Sequence, residues 1–328
     1  MKKRNLGGWT VLRIFGVVVI LCFMTSYAMS AEKYPSKPIN LVVGYAPGGS
    51  TDLSARVFGK AVEKILKQPV IVINKPGAAS SIQMQYVKTS LPDGYTLGAI
   101  TTGPLLSGLL QGLPYRTFED FTHLCQYGEW LHGISVRVDS PWKNLHEFVD
   151  YAKKNPGKIK YSSMEKTTHI GLLAAQFGIL NKIPWAPVVY PGDAPGAVAC
   201  LGGHVDASVV NVVGWAPFVR AGKLRTLAVL ESKFKEFPDI PMASDLGYKY
   251  SSNFRGYVGV LGPKGLPPEI TATLIDTFRK AVQDPEFQKG MDTLMLPVAY
   301  KEGEEWINFL KGYEREGHVI IDQIGLKK

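Results

Sequence analysis

The run Leu41-Val-Val-Gly-Tyr-Ala-Pro-Gly-Gly-Ser-Thr-Asp52 constrains the chain more than any other segment. An apolar, strand-like stretch gives way to proline and paired glycines. Ser50, Thr51 and Asp52 then open a segment in which Leu53, Val57, Phe58, Val62, Ile65 and Leu66 share one helical face. Glycines let backbone amides approach a ligand closely, and a helix N-terminus adds unpaired N–H groups and a positive dipole end. The junction therefore suits an anion, a carboxylate as readily as a phosphate.

The same grammar recurs along the chain, which is the mark of an α/β fold. Strands are expected at Ile39–Tyr45, Val70–Asn74, Tyr95–Thr101, Lys158–Ser162, Val188–Tyr190, Val205–Val210, Leu224–Leu230 and Gly256–Leu261. Helices follow the loop at 77–81, run over His169–Leu180, and end at Leu201 before Gly202-Gly203. Pro267-Pro268 opens another to Val282, and two more cover Pro285–Leu294 and Gly303–Gly325. Crossings near Ile134–Arg137 and Phe254–Val258 divide the chain into a discontinuous lobe, 31–134 with 256–328, and a continuous one, 135–255. The expected architecture is two α/β lobes with a ligand cleft between them, because ligands of open sheets lie beyond the carboxyl ends of strands.

Compartment is read from the first 30 residues. Lys2, Lys3, Arg4 and Arg13 precede or flank the apolar Ile14–Phe23 core, and Ala28-Met-Ser30 offers small residues for cleavage before Ala31. The apolar core is short for a membrane span, so a cleaved signal peptide and a periplasmic location are expected. The four basic residues of this leader account for part of the formal +9, leaving +5 spread without basic runs. That distribution gives no footprint for nucleic acid. Beyond the leader only Cys125 and Cys200 remain, each among apolar neighbours, and two buried free thiols are the expected state.

Eight ordered motifs carry a family resemblance. They are Tyr34-Pro-Ser-Lys-Pro-Ile39, Ala46-Pro-Gly-Gly-Ser-Thr-Asp52, Gln68-Pro-Val-Ile-Val-Ile-Asn-Lys-Pro-Gly-Ala78 and Pro92-Asp-Gly-Tyr-Thr-Leu97, then Pro156-Gly-Lys-Ile-Lys-Tyr161, Leu201-Gly-Gly-His-Val-Asp206, Ala221-Gly-Lys-Leu-Arg-Thr-Leu-Ala228 and Pro238-Asp-Ile-Pro241. With them the chain resembles the Bug (TctC-like) family, extracytoplasmic solute receptors of tripartite tricarboxylate transporters. The resemblance implies a two-domain periplasmic binding-protein fold that closes on a carboxylate held by helix N-termini and loop amides. It implies delivery to a two-component membrane permease, or in some members to a sensor kinase. A monomer is expected, and no cofactor or metal is implied. The chain departs from the family pattern at Gly77-Ala-Ala-Ser-Ser81, at Ser162-Ser-Met-Glu-Lys-Thr-Thr168 and at Pro191.

Candidate ligand contacts follow from the strand ends. The first loop offers Tyr45, Pro47, Gly48, Gly49, Ser50 and Thr51, with Asp52 assigned to orienting the loop because two carboxylates repel. Ala79, Ser80 and Ser81 open the second helix, where capping competes with contact. Thr101 and Thr102 end the third strand. In the second lobe the candidates are Ser163, Thr167, Thr168 and His169, then Tyr190 and Asp206. Lys166 is placed to pair with a second acidic group, or else is solvated. Trp130, Trp185 and Trp215 either stack on an aromatic ligand or fill the core. No Gly-x-Gly-x-x-Gly, P-loop lysine, Gly-x-Ser-x-Gly or His-Glu-x-x-His occurs. An exported hydrolase using Ser50 and His169 is the enzyme alternative.

Overall fold

The computed structural model describes residues 34–110, 112–234 and 236–326, so the expected leader lies outside the described residues. The chain opens with β1 (Ile39–Val43), α1 (Ser50–Leu66), β2 (Val70–Asn74), α2 (Ser81–Lys88), β3 (Thr96–Thr101), α3 (Thr102–Leu110) and β4 (Phe121–Glu129). It continues through β5 (His132–Arg137), α4 (Leu145–Lys154), β6 (Lys160–Ser163), α5 (His169–Leu180), β7 (Ala186–Val189), α6 (Asp193–Leu201), β8 (Ala207–Asn211), α7 (Val212–Arg220) and β9 (Leu224–Val229). β10 (Tyr257–Pro263), α8 (Pro268–Ala281), α9 (Pro285–Thr293), β11 (Val298–Glu302) and α10 (Gly303–Gln323) complete it.

These strands form two sheets, in the orders β11-β4-β10-β3-β1-β2 and β7-β6-β8-β5-β9. In the first, β1 runs parallel to β2 and β3, while β10 is antiparallel to both β3 and β4. In the second, β6 runs parallel to β7 and β8, and β5 is antiparallel to β8 and β9. The chain leaves the first sheet after β4 and re-enters it as β10. His132 already pairs in the second sheet, so the change of sheet falls at Trp130-Leu131, ahead of the 134/135 boundary expected from sequence. Trp130 N donates to Gly256 O (2.9 Å), which ties the outgoing crossing to the returning one.

Each sheet has its own aromatic packing. α1 turns its apolar face inward, where Phe58 stacks on Tyr127 at 4.3 Å between ring centroids and meets Phe278 and Phe287. The helix stops at Lys67, whose left-handed backbone lets its N–H bond back to Glu63 O. On the second sheet, Trp185 packs against Tyr161, Phe177 and Phe148. Trp215 is fully buried, its ring pressed against Gly133, so the core reading holds for it.

Several elements were not read from the sequence. α3 begins Thr102-Gly-Pro, a composition that looks like a loop, and α7 carries Pro217 inside it. The pairing of β4 with β10 is broken by register shifts, which blurs strand alternation. Cys125 and Cys200 are both buried and free, as expected. Burial pushes the Cys200 thiol up to about 12.

Candidate functional site

The carboxyl ends of β1, β2 and β3 hold the first half of the site. Gly48 adopts φ +82°, a left-handed conformation that suits glycine. Gly49 precedes α1 in an extended conformation with no side-chain cap. The first helical hydrogen bond is Leu53 N to Gly49 O, so the amides of Ser50, Thr51 and Asp52 lie ahead of it and are free of the helical ladder. Asp52 is not part of that open end. Its buried carboxylate accepts from Gly48 N (2.9 Å), from Asn74 Nδ2 (2.9 Å) and from Arg56 through Nε and Nη2. Burial pushes the Asp52 pKa up, but these donors outweigh it and hold the group below its ordinary value. Asn74 Nδ2 also reaches Tyr45 O, so one carboxylate and one amide clamp both ends of the loop. Asp52 thus ties Gly48 to Asn74 and Arg56.

The Tyr45 hydroxyl lies 2.9 Å from Thr101 Oγ1, which joins the first loop to the end of β3. Thr101 and Thr102 are both nearly inaccessible. Ser80 and Ser81 are buried as well. Ser80 Oγ donates to Gln83 Oε1 and Ser81 Oγ pairs with the Tyr115 hydroxyl. A Cβ on Gly44 would fall 1.7 Å from Ser80 Oγ, so Ser80 is wedged against the end of β1. Its backbone at φ +75° takes a conformation in which glycine is easier. Ala79 belongs to the short 3₁₀ turn Ala78–Ser80 ahead of α2.

The second sheet presents the carboxyl ends of β6, β7 and β8. Ser163 ends β6, Tyr190 follows β7, and Tyr190 N donates to Ser163 O. Thr168 caps α5, its Oγ1 accepting from Gly171 N, while Thr167 stays half-buried beside it. Asp206 is different. It accepts from Lys160 N (2.8 Å) at the beginning of β6 and just before β8, the opposite strand end from Ser163. The Leu201–Asp206 motif is a helix stop feeding a strand, so its acid braces the starts of β6 and β8.

His169 is also placed elsewhere than expected. It is 3 % exposed, and both ring nitrogens are engaged, Nδ1 with the Tyr313 hydroxyl (2.8 Å) and Nε2 with Glu231 Oε1 (3.2 Å). Glu231 in turn accepts from His132 through Nδ1 (2.5 Å) and the backbone N (2.8 Å). Burial pushes the Glu231 pKa up, yet His132 and His169 outweigh it and bring the carboxyl to about 2. Burial holds the His169 pKa below its ordinary value, with Glu231 opposing in part. Among the described residues these three are the group with donor atoms close enough for a metal, all within 4.8 Å. A tetrahedral zinc with bonds of about 2.0–2.2 Å would hold its ligand atoms about 3.3–3.6 Å apart. The 2.5 Å between His132 Nδ1 and Glu231 Oε1 is instead a hydrogen bond.

Asp193, which the sequence did not single out, joins the two strand-end halves of the site. It opens α6, accepts from Asn211 N through Oδ1 (2.9 Å), and accepts from Ser50 Oγ through Oδ2 (3.2 Å). Ser50 is therefore paired with an acid and His169 is committed elsewhere, so these two residues do not form a serine–histidine couple. Lys166 and Trp185 line a separate groove of about 530 Å³ along α5, with Tyr161, Lys182 and Pro187. Trp130, buried beside Gly256, fills the crossing.

The family model for the tripartite tricarboxylate transporter family receptor matches residues 54–326. The chain belongs to that family. Among its relatives, a protein from the gbd 5′ region of Cupriavidus necator is 34% identical over 307 residues, covering 91% of this receptor and 90% of that protein. BugT of Bordetella pertussis is 30% identical over 278 residues, covering 83% and 84% of the two chains. A TctC solute binding protein from Polaromonas superposes with a TM-score of 0.71 at 31% identity, over 89% of this receptor and 99% of that chain. The fold is the two-lobed periplasmic binding-protein fold. No helix among the described residues is long and apolar enough to cross a membrane.

Proposed function

We propose that this receptor captures a small carboxylate between the carboxyl ends of its two sheets, in the periplasm, and passes it to the membrane subunits of a tripartite transporter. One observation carries the reading. The uncapped start of α1, behind Gly48 and Gly49, stands against the first residue of α6 on the other sheet through the Ser50–Asp193 hydrogen bond. Free amides and the positive end of the α1 dipole then face a gap that both sheets border, which favours an anionic group. In this reading the acid touches the amides of Gly49, Ser50 and Thr51, the hydroxyls at Thr101 and Thr102, and Ser163 with Thr167 from the far side. Asp52 orients the loop, and His169 and Asp206 support from outside the cleft. The lobes are 37–131 with 256–326, and 132–255. Binding draws them together because only the closed form contacts the acid from both sides.

The test is a thermal-shift and calorimetric screen with dicarboxylic, tricarboxylic and aromatic acids. One acid should bind with unit stoichiometry and be recovered unchanged. At ligand 100-fold above its dissociation constant, about 2.7 kcal/mol of added stability is expected. Stabilisation by amines or neutral sugars, with none by acids, overturns the reading. Hydrolysis of an ester or amide substrate would restore the enzyme alternative.

A further inference from the structure

The buried cluster around Glu231 lies where the chain changes sheets. His132 is the first residue of β5, immediately after the outgoing crossing, and Glu231 follows β9 ahead of the return. His169 is the first residue of α5, which packs on β6 and β8, whereas Tyr313 belongs to α10, which packs on β4 and β11. The His169–Tyr313 hydrogen bond therefore spans the two sheets. The returning crossing presses on it directly, since a Cβ at Gly256 would sit 3.1 Å from the His169 ring and within 3 Å of Trp130. Phe254 stacks on Tyr313 at 4.2 Å and lies 4.8 Å from His169.

Donor accounting gives the network one direction. An ionised Glu231 only accepts, so His132 Nδ1–H, His132 N–H and His169 Nε2–H all donate to it. His169 Nδ1 then carries a lone pair and accepts from the Tyr313 hydroxyl. Tyr313 also lies beside Thr102, the first residue of α3, which directly follows β3. The relay runs from Tyr313 through His169 and Glu231 to His132, and so reaches both crossings. A second polar bridge, Gln176 Nε2 to Gln323 Oε1 at 2.7 Å, joins α5 to α10 two turns further along.

We infer that Glu231 and Tyr313 are positioning residues for ligand capture, Glu231 fixing the two crossings and Tyr313 latching the sheets in the arrangement that binds. The inference rests on the carboxylate-capture reading above. Neither side chain touches the ligand, so loss of the latch acts only through the fraction of receptor in the closed arrangement, and affinity falls with that fraction. Every acid that binds must then weaken by one common factor. A contact residue changes the ranking among acids instead.

Tyr313→Phe is the informative variant, because it keeps the ring against Phe254 and deletes only the hydroxyl; Glu231→Gln risks misfolding. Dissociation constants for three acids of different shape are measured by calorimetry on wild type and variant. The radius of gyration of the ligand-free proteins is measured by small-angle X-ray scattering. The expected result is binding weakened about fivefold for all three acids, with a larger radius of gyration in the ligand-free variant. An unchanged radius, unchanged affinities, or factors that differ among the acids each overturn the latch. Failure of the wild type to bind any acid would overturn carboxylate capture, while the scattering comparison would still decide the latch.

Discussion

Ser50 Oγ donates to Asp193 Oδ2 across 3.2 Å, joining the first residue of α1 on one sheet to the first residue of α6 on the other. This hydrogen bond holds the beginnings of the two helices together. It is a direct side-chain link between the strand-end loops proposed to hold the acid.

Ser50→Ala removes that link and little else. Asp193 keeps its bond from Asn211 N, so no buried acceptor is orphaned. A net contribution of about 1 kcal/mol is expected for such a bond, felt mainly in the closed form. Acid affinity should fall about fivefold while the melting temperature without ligand changes little. Calorimetric titration alongside thermal melts of the free protein checks both halves.

Gly48 and Gly49 separate backbone strain from ligand access. A Cβ on Gly48 meets nothing within 4 Å, but its φ of +82° disfavours any L side chain. Gly48→Ala should therefore cost about 1–2 kcal/mol from conformation alone. Gly49 is extended, and its nearest obstacle to a Cβ is Ala46 O at 3.6 Å. Gly49→Ala should fold as stably as wild type, whereas Gly49→Trp should fold but lose acid binding. Chemical denaturation for the first, and denaturation with ligand titration for the others, give the comparison; retained affinity in Gly49→Trp would take the first loop out of the site.

The loops at the carboxyl ends of β1 and β3 were legible because strand, glycine turn and helix start are contiguous in sequence. Tyr45, Ser50, Asp52 and Thr101 could be placed from local pattern alone. The residues that join the halves could not. Asp193 meets Ser50, and Glu231 meets His132 and His169, only after the chain has crossed between sheets and back. His169 followed a polar loop in a position mirroring Ser50, which suggested a cleft residue; its neighbours Glu231 and Tyr313 come from distant segments that turn it inward. Asp206 misled for a local reason, since a polar residue beside a strand looks alike at either end until the direction of β6 and β8 is known.

The Glu231 cluster should be indifferent to metal. Its carboxylate already receives three N–H donors, and insertion of an ion would have to break the 2.5 Å contact with His132. Zinc at equimolar concentration, and prolonged dialysis against a chelator, should leave the melting temperature unchanged. Stabilisation that saturates at one zinc per chain would show that the cluster opens to a metal instead.

The same cluster sets how stability responds to acid. His169 is held neutral by burial, its folded pKa lying below the ordinary 6.5, whereas in the unfolded chain it takes a proton as pH drops through 6.5. The unfolded state then binds more protons, so stability declines as pH falls below that value. Glu231 acts in the same direction further down. Its ordinary value is 4.5 and its folded value about 2, so its contribution is complete above 4.5 and is lost as pH falls through the interval towards 2. Melting temperature should be level above neutrality, decline gently below about pH 6.5, and fall more steeply below about pH 4.5. In Glu231→Gln the amide has one acceptor oxygen for three donors, so the protein should be less stable at pH 7 and the steep lower limb should flatten. Thermal melts of both proteins across this range decide it: an identical acid limb in wild type and Glu231→Gln would remove Glu231 as the group responsible.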